Sequence, residues 1–570
     1  MKRWSLCARN DETDIMKNWK FKHWALGIVG VLLLGSAALP PVSFFEITKQ
    51  LDIFATLYRE LNIYYVDTLN PEQLIGAGIY EMNSSLDPYT DFIPEDDIQE
   101  YRQQTTGRYG GIGALIGARK GSVIITDPYE DCPAAKAGLR PGDKLLIVDG
   151  KSVQKSNSDE VSKMLRGKAG TVVTMKVARL QADGSEKEIT FSFPREEIKI
   201  KNVPFYGMLK DSIGYIRLNG FTDRAGTEVH NALVSLISKH KAKGIVFDLR
   251  GNPGGLLNEA INVANCFVGK NTPIVNTRGR VEEQNREYKT LNDAVDTKIP
   301  LAILADGGSA SAAEIVAGSM QDLDRAVIVG QRTYGKGLVQ STHSLPYNAK
   351  LKVTTAKYYI PSGRCIQSIN YADKKDGHAE RKADSLKVAF KTKGGRTVYD
   401  GVGIDPDIKT KEDTAASIVI ALYTQNLFFE YAMKYRATHE AIPQAKNFAV
   451  SDAEYNDFIK YTSAQSDFKY ETRSEKLLEE LKTTAQKENK FAAFEAEYNS
   501  MKQRLEKDKQ KDWEKNKKEI KQLLEQEICA HYYLGAGRIE STIQEDSDVL
   551  NAIDILKNAT ARQSILQAKK

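Results

Sequence analysis

Three glycine-rich segments carry the side chains whose types and spacing could do chemistry. Ala305-Asp-Gly-Gly-Ser-Ala-Ser-Ala-Ala-Glu314 sets Ser309 and Ser311 among small residues, where a chain can turn sharply from strand into helix. A serine at such a turn has a free hydroxyl and helix-end N–H groups beside it, which suits an oxyanion forming next to a nucleophile. The same serines would serve as plain helix N-caps. A serine nucleophile needs a base. No histidine stands in a comparable setting, since His343, the nearest, lies in a polar Ser/Thr stretch. Lys336 stands between Gly335 and Gly337, where the backbone can approach a ligand. A lysine acts as a base only when held neutral, which burial favours; a solvated loop lysine is the plain alternative. Gln340, four residues on, can orient a neighbour without adding charge. In Arg250-Gly-Asn-Pro-Gly-Gly255, the N–H of Gly254 or Gly255 can complete an oxyanion hole with that of Ala312.

The elements that must position these groups read as α/β. Apolar runs at 213–218, 244–249, 301–304 and 326–329 alternate with helical segments at about 225–239, 256–267 and 311–322. Nearly continuous apolar strands belong to a parallel sheet covered on both faces. All three chemical segments follow the ends of such strands, where ligands bind in open α/β sheets.

Residues 106–197 change character. Short β-type runs are separated by turn signals at Arg140-Pro-Gly-Asp143, Asp149-Gly150 and Asp183-Gly184, with one helix predicted over 158–165 and Ser158 as its cap. The unit opens on Tyr109-Gly-Gly-Ile-Gly-Ala114. Gly111, Ile112 and Gly113 can offer successive N–H groups to a carboxylate while the sheet edge pairs with an extended peptide. A nucleotide-binding loop fits less well, because the third glycine is missing at the required offset and a β-run rather than a helix follows. Together with Ala134-Ala-Lys-Ala-Gly-Leu-Arg-Pro-Gly-Asp143, the unit resembles a PDZ domain. Ser152-Val-Gln-Lys155 fits an SxxK pattern by chance, because it follows a hairpin turn rather than opening a helix.

Composition narrows the remaining classes. The 570 residues suggest roughly four units. With 80 basic against 75 acidic residues, no overall field points to nucleic acid. Five scattered cysteines, without a CxxC or a Cys/His cluster, are neither a disulfide framework nor a zinc site. Residues 24–40 are uncharged and follow Lys17, Lys20 and Lys22, which reads as an export signal or a retained anchor, with Met1 or Met16 as the start. Everything after residue 41 is then expected outside the cytoplasm. Residues 44–105 carry helical spacing. Of 41 glycines, 39 precede residue 411, so the remainder is expected to be mostly helix, as a cap or a dimerisation domain. Leu477, Leu478, Leu481, Phe494, Tyr498, Met501 and Leu505 recur at three and four residues there.

The three chemical segments, in this order and with Leu86-Asp-Pro-Tyr-Thr90, Pro361-Ser-Gly-Arg364 and Gly401-Val-Gly-Ile-Asp-Pro-Asp407, resemble the carboxyl-terminal processing proteases over about 44–409. The resemblance implies a Ser/Lys peptidase with a crotonase-like core and an embedded PDZ domain. By it, Ser311 is the nucleophile, three residues before Glu314. Lys336 is the general base, Gln340 orients that lysine, and Gly254 rather than Gly255 joins Ala312 in the oxyanion hole. Arg166 matches an arginine that couples peptide binding to the active site. The expected organisation is a signal or anchor over 1–40, a helical region over 41–105, the PDZ unit over 106–197, the protease core over 198–409 and an all-α domain over 410–570. The expected activity is cleavage of extracytoplasmic proteins near apolar C-termini, with no cofactor or metal. Membrane attachment through an uncleaved N-terminal segment, a homo-oligomer and an adaptor protein are the further partners considered. A non-catalytic PDZ scaffold on a relict core is the alternative; an acyl-CoA enzyme on the same fold fits poorly with export.

Overall fold

The computed structural model describes residues 44–372, 374, 379–411 and 415–567. The expected export segment lies outside them. Among the described residues, no helix is long and apolar enough to cross a membrane.

Helices Phe44–Tyr64 and Pro71–Ser84 open the described chain. The second begins where Asn70 Oδ1 accepts the N–H groups of Glu72 and Gln73 and Pro71 takes the first helical position. The following turn, 86–90, leads into the short strand Asp91–Ile93. That strand pairs antiparallel with Lys350–Tyr359, Asp91 opposite Lys352 and Ile93 opposite Lys350. The N-terminal unit is thereby stitched to strand Lys350–Tyr359, far along the chain.

The β-rich unit is an insertion on a two-stranded stalk. The entering strand Arg108–Gly111 pairs antiparallel with the leaving strand Glu196–Lys199. Between them, strands Ala114–Arg119, Ser122–Pro128, Lys144–Val148, Val172–Leu180 and Glu186–Pro194 form a sheet around buried Ile125, Leu145, Val161, Val173 and Met175. Helix Ser158–Leu165 is capped by Asn157, not by Ser158 as expected. Asn157 stands three residues before Glu160, so it supplies both halves of a capping box: Glu160 N–H donates to Asn157 Oδ1, and Asn157 N–H to Glu160 Oε2. Ser152 lies on an exposed two-residue strand, so the SxxK pattern is structurally idle.

The α/β core is a six-stranded sheet in the order 205–208, 213–217, 244–248, 301–305, 327–330 and 408–409. Its first pair is antiparallel and the others are parallel. Alternation along the strands splits their side chains between two buried faces. Ile216, Ile245, Phe247, Ile303 and Ile328 face helices Ala225–Val234, Leu257–Asn265 and Ala312–Asp322. Tyr215, Val246, Ala302, Leu304 and Val327 face Val549, Ala552, Ile553 and Leu556 of helix Ser547–Lys557. Helix Ser547–Lys557 therefore forms the second layer of the α/β core. Each aliphatic side chain so buried contributes roughly 1.5–3 kcal/mol.

The rest of the tail folds around its own aromatic core of Phe428, Tyr431, Tyr455 and Phe458, joined by Trp513. Within it, helices Arg473–Lys487 and Glu495–Lys509 pack together through Leu478 and Tyr498, while Leu477, Leu481 and Met501 stay exposed. This part also docks on the β-rich unit. Lys120 pairs with Glu430 at 2.9 Å, and Met433 fills the space over Gly142, whose φ is +92°.

Candidate active site

Chain turns at three adjacent strand ends build the site. Leu301–Ala305 runs into the 306–311 turn and then into helix Ala312–Asp322. Asp306 Oδ1 organises the turn by accepting the N–H groups of Gly251, Gly308 and Ser309. The two candidate serines end up in different settings. Ser309 is fully buried, and its hydroxyl is spent on Leu249 O at 2.8 Å and on the N–H of Asp306 at 3.0 Å. Ser311 is half-buried and is held at φ +55°, ψ −115°, a strained conformation for a side chain.

Lys336 comes from the loop between strands Val327–Gly330 and Leu338–Ser344. One carboxylate joins that loop to the serine turn. Glu314 is fully buried. Its Oε2 accepts the N–H of Ser311 at 2.9 Å and that of Lys336 at 2.8 Å. Its Oε1 accepts the N–H of Gly335 at 2.7 Å and the Thr333 hydroxyl at 2.5 Å. Burial pushes the Glu314 carboxyl up to about 7, against the pull of these four donors. The carbonyls of the same two residues meet one phenol: the Tyr358 hydroxyl lies 3.1 Å from Ser311 O and also bonds Lys336 O. The Ser311 and Lys336 segments are thus fixed to each other through both N–H groups and both carbonyls.

The Lys336 amine itself sits 4.1 Å from the centre of the Tyr89 ring. Burial, helped by the charge of Lys352, lowers its pKa to about 8, with Asp87 and Glu314 opposing. A lysine so placed is partly neutral near physiological pH, which is what a general base requires.

Gly254 packs against the serine turn. A Cβ there would lie 2.8 Å from Ser311 Cβ and from Ala312 N, and its φ is +98°, so only glycine fits. Its N–H, however, donates to Asn252 Oδ1 at 2.9 Å. The N–H of Gly255 has no partner among the described residues. Ala312 opens its helix, so its N–H lies outside the helix ladder and is free for an oxyanion. Gln340 is brought to the edge of the site, where its amide donates to Thr354 Oγ1 at 3.1 Å rather than contacting Lys336.

The loop carrying Gly254 and Gly255 is also anchored at its strand end. Asp248, buried at its strand end, binds Arg217, Arg250 and the Tyr215 hydroxyl; burial would raise its carboxyl, but the Arg250 and Arg217 guanidiniums hold it well below the usual range. Arg250 continues to Asp546 at 2.9 Å and Asp548 at 3.2 Å, at the start of helix Ser547–Lys557. That helix and the loop carrying Gly254 share one guanidinium.

In the β-rich unit, Gly111 ends the entering strand, and Ile112 and Gly113, the latter at φ +73°, lead into the next strand. The carbonyls of Ile112 and Gly113 accept the N–H groups of Ala134 and Tyr129, and the N–H groups of Ile112 and Gly113 are without partners among the described residues. A cavity of about 180 Å³ opens there, lined by Tyr109, Ile112, Ile116, Leu165 and Arg166. Arg166 ends the helix beside it and lies 5.9 Å from the Tyr109 ring centre. Such a groove suits an extended peptide with a free carboxylate.

Sequence reasoning missed Tyr358, Thr333, Asn252 and Tyr89, and used Glu314 only as a spacing mark. Glu314 could have been found: a carboxylate three residues into a helix behind a wall of alanines has to be buried, and so has to be satisfied. Among the described residues, no group of His, Cys, Asp and Glu is arranged to hold a metal.

Residues 212–372 match the model of peptidase family S41, 124–179 that of the PDZ domain, and 418–556 that of a C-terminal helical domain of PDZ-proteases. A carboxy-terminal-processing protease of Bartonella bacilliformis is 38% identical over 325 residues, covering 56% of this chain and 73% of that one. A probable CtpA-like serine protease of Staphylococcus haemolyticus is 34% identical, covering 62% and 73%. Among solved structures, a photosystem II D1 C-terminal processing protease is 26% identical, covering 62% of this chain and 86% of that one, with a TM-score of 0.34.

Proposed function

The chain belongs to the carboxy-terminal-processing proteases of peptidase family S41, and from that premise we propose that it is a Ser/Lys endopeptidase acting on proteins outside the cytoplasm. The core is read as crotonase-like. Ser311 Oγ attacks the scissile carbonyl as its proton passes to Lys336 Nζ. The oxyanion is held by the N–H of Ala312 and one from the Gly254-Gly255 turn. Lys336 then gives its proton to the departing amine, leaving an acyl-enzyme on Ser311. Water, deprotonated by Lys336, releases the new C-terminus.

The observation that carries the reading is the Glu314 clasp, which fixes Ser311 and Lys336 to one buried oxygen. The PDZ groove supports capture of an apolar C-terminus before cleavage. The uncharged segment 24–40 supports export, with membrane attachment where it is retained. Assembly with a second copy or an adaptor would be added to this unit. Trapping tests the reading. A peptide substrate quenched in acid should leave a covalent adduct on the peptide containing Ser311, seen by mass spectrometry. An adduct on Ser309, or none during active cleavage, would contradict it.

A further inference from the structure

The turn at 86–90 precedes the PDZ domain, yet it ends against the proposed base. Asp87 is buried and makes this turn rigid. Its Oδ1 accepts the N–H groups of Tyr89 and Thr90, both at 2.8 Å, and its Oδ2 accepts the Thr90 hydroxyl at 3.1 Å. Thr90 Oγ1 in turn accepts the N–H of Thr354, whose hydroxyl holds Gln340. The pairing of Asp91–Ile93 with Lys350–Tyr359 fixes the turn to the core. The Tyr89 ring is held edge-on by Tyr371, centroids 5.9 Å apart at 90°. Its face is left to Lys336 Nζ, at 4.1 Å.

A lysine side chain has four rotatable carbons and a head that water strongly attracts. Pinning its backbone, as Glu314 and Tyr358 do, does not place its amine. An aromatic face attracts the amine when it is protonated and excludes water from that side in either state.

We propose that Tyr89 is a positioning residue of the active site, its ring face holding the Lys336 amine toward Ser311 and closing that side to water. This rests on the reading of Lys336 as the base. The N-terminal unit is then part of the catalytic apparatus rather than a spacer before the PDZ domain. The charged groups facing Lys336 are Asp87 from the turn, Glu314 from the nucleophile's helix and Lys352 from the adjoining strand. None of them is altered by substitution at position 89.

The test compares Tyr89→Phe, Tyr89→Leu and Tyr89→Ala with wild type on one fluorogenic peptide across pH, with thermal melts to establish folding. Tyr89→Phe keeps the ring and should cleave nearly as wild type. Tyr89→Leu and Tyr89→Ala should lose kcat by about tenfold or more, with KM little changed. The alkaline rise of the Tyr89→Ala profile should move to higher pH as water reaches the amine. Wild-type kcat in both Tyr89→Leu and Tyr89→Ala would overturn the proposal. So would a Tyr89→Phe loss equal to that of Tyr89→Ala, or a loss confined to KM. Should Tyr89→Ala melt below the assay temperature, Tyr89→Leu, which keeps the bulk, decides alone. Lys336→Ala runs alongside: if it cleaves normally, the reading of the base fails, whereas an inactive Lys336→Ala beside unaffected Tyr89 variants sinks only the role of Tyr89.

Discussion

Glu314 Oε2 accepts the main-chain N–H of Lys336 at 2.8 Å while also holding the N–H of Ser311 at 2.9 Å. One buried oxygen thus sets the distance between a proposed nucleophile and a proposed base that come from different strand ends. Hydrogen bonds to a charged acceptor contribute about 1.5–3 kcal/mol each, and more is lost when their donors stay buried without a partner.

Glu314→Gln keeps the volume but replaces one accepting oxygen with a donating NH₂. Two of the four donors then face another donor. The variant is expected to fold less stably by about 2–4 kcal/mol and to lose most of its kcat. Urea unfolding and steady-state kinetics on one preparation check both.

The two serines separate cleanly. Ser309 spends its hydroxyl on Leu249 O and the Asp306 N–H, so Ser309→Ala should cost about 1–3 kcal/mol yet retain cleavage. Ser311→Ala, at the N-cap of helix Ala312–Asp322, should abolish turnover. Melting temperature and turnover, measured for both variants, are expected to change in opposite patterns.

The pH dependence has a definite sign. Lys336 must be neutral to accept the Ser311 proton, and its pKa is lowered from the ordinary lysine range to about 8. Below that value the neutral fraction falls about tenfold per pH unit. Cleavage is therefore expected to rise with pH through about 8 and then level off. A profile flat from pH 6 to 9 would assign the proton to another group.

Helix Ser547–Lys557 is a layer of the core, so damage there should destabilise the whole fold. Leu556 is buried against the sheet face that carries Tyr215 and Val246. Leu556→Ala is expected to cost about 2–5 kcal/mol, read as a lower urea midpoint with an unchanged m-value.

Much of this was legible in the sequence, for identifiable reasons. The apolar runs at 213–218 and 244–249 could only be doubly covered strands, and the glycines at 254, 335 and 337 marked close approaches. The segment from Gly111 to Gly113 announced itself by composition. The partners lay deeper. That Tyr89 reaches Lys336 depends on strand 91–93 pairing with 350–352, which no local pattern encodes. That helix Ser547–Lys557 covers the catalytic sheet was hidden because an amphipathic helix shows which face is buried, not against what. Gln340 was placed near the base by spacing, but a register shift at Val339/Gln340 and the opposite Thr354 give its amide another partner.

The most direct measurement takes a peptide with an apolar free C-terminus and compares wild type, Ser311→Ala and Lys336→Ala, recording binding by calorimetry and cleavage by mass spectrometry. Both variants are expected to bind as wild type does, through the PDZ groove, while cleavage falls to the uncatalysed background. Cleavage at the wild-type rate by either variant would contradict the Ser311–Lys336 dyad.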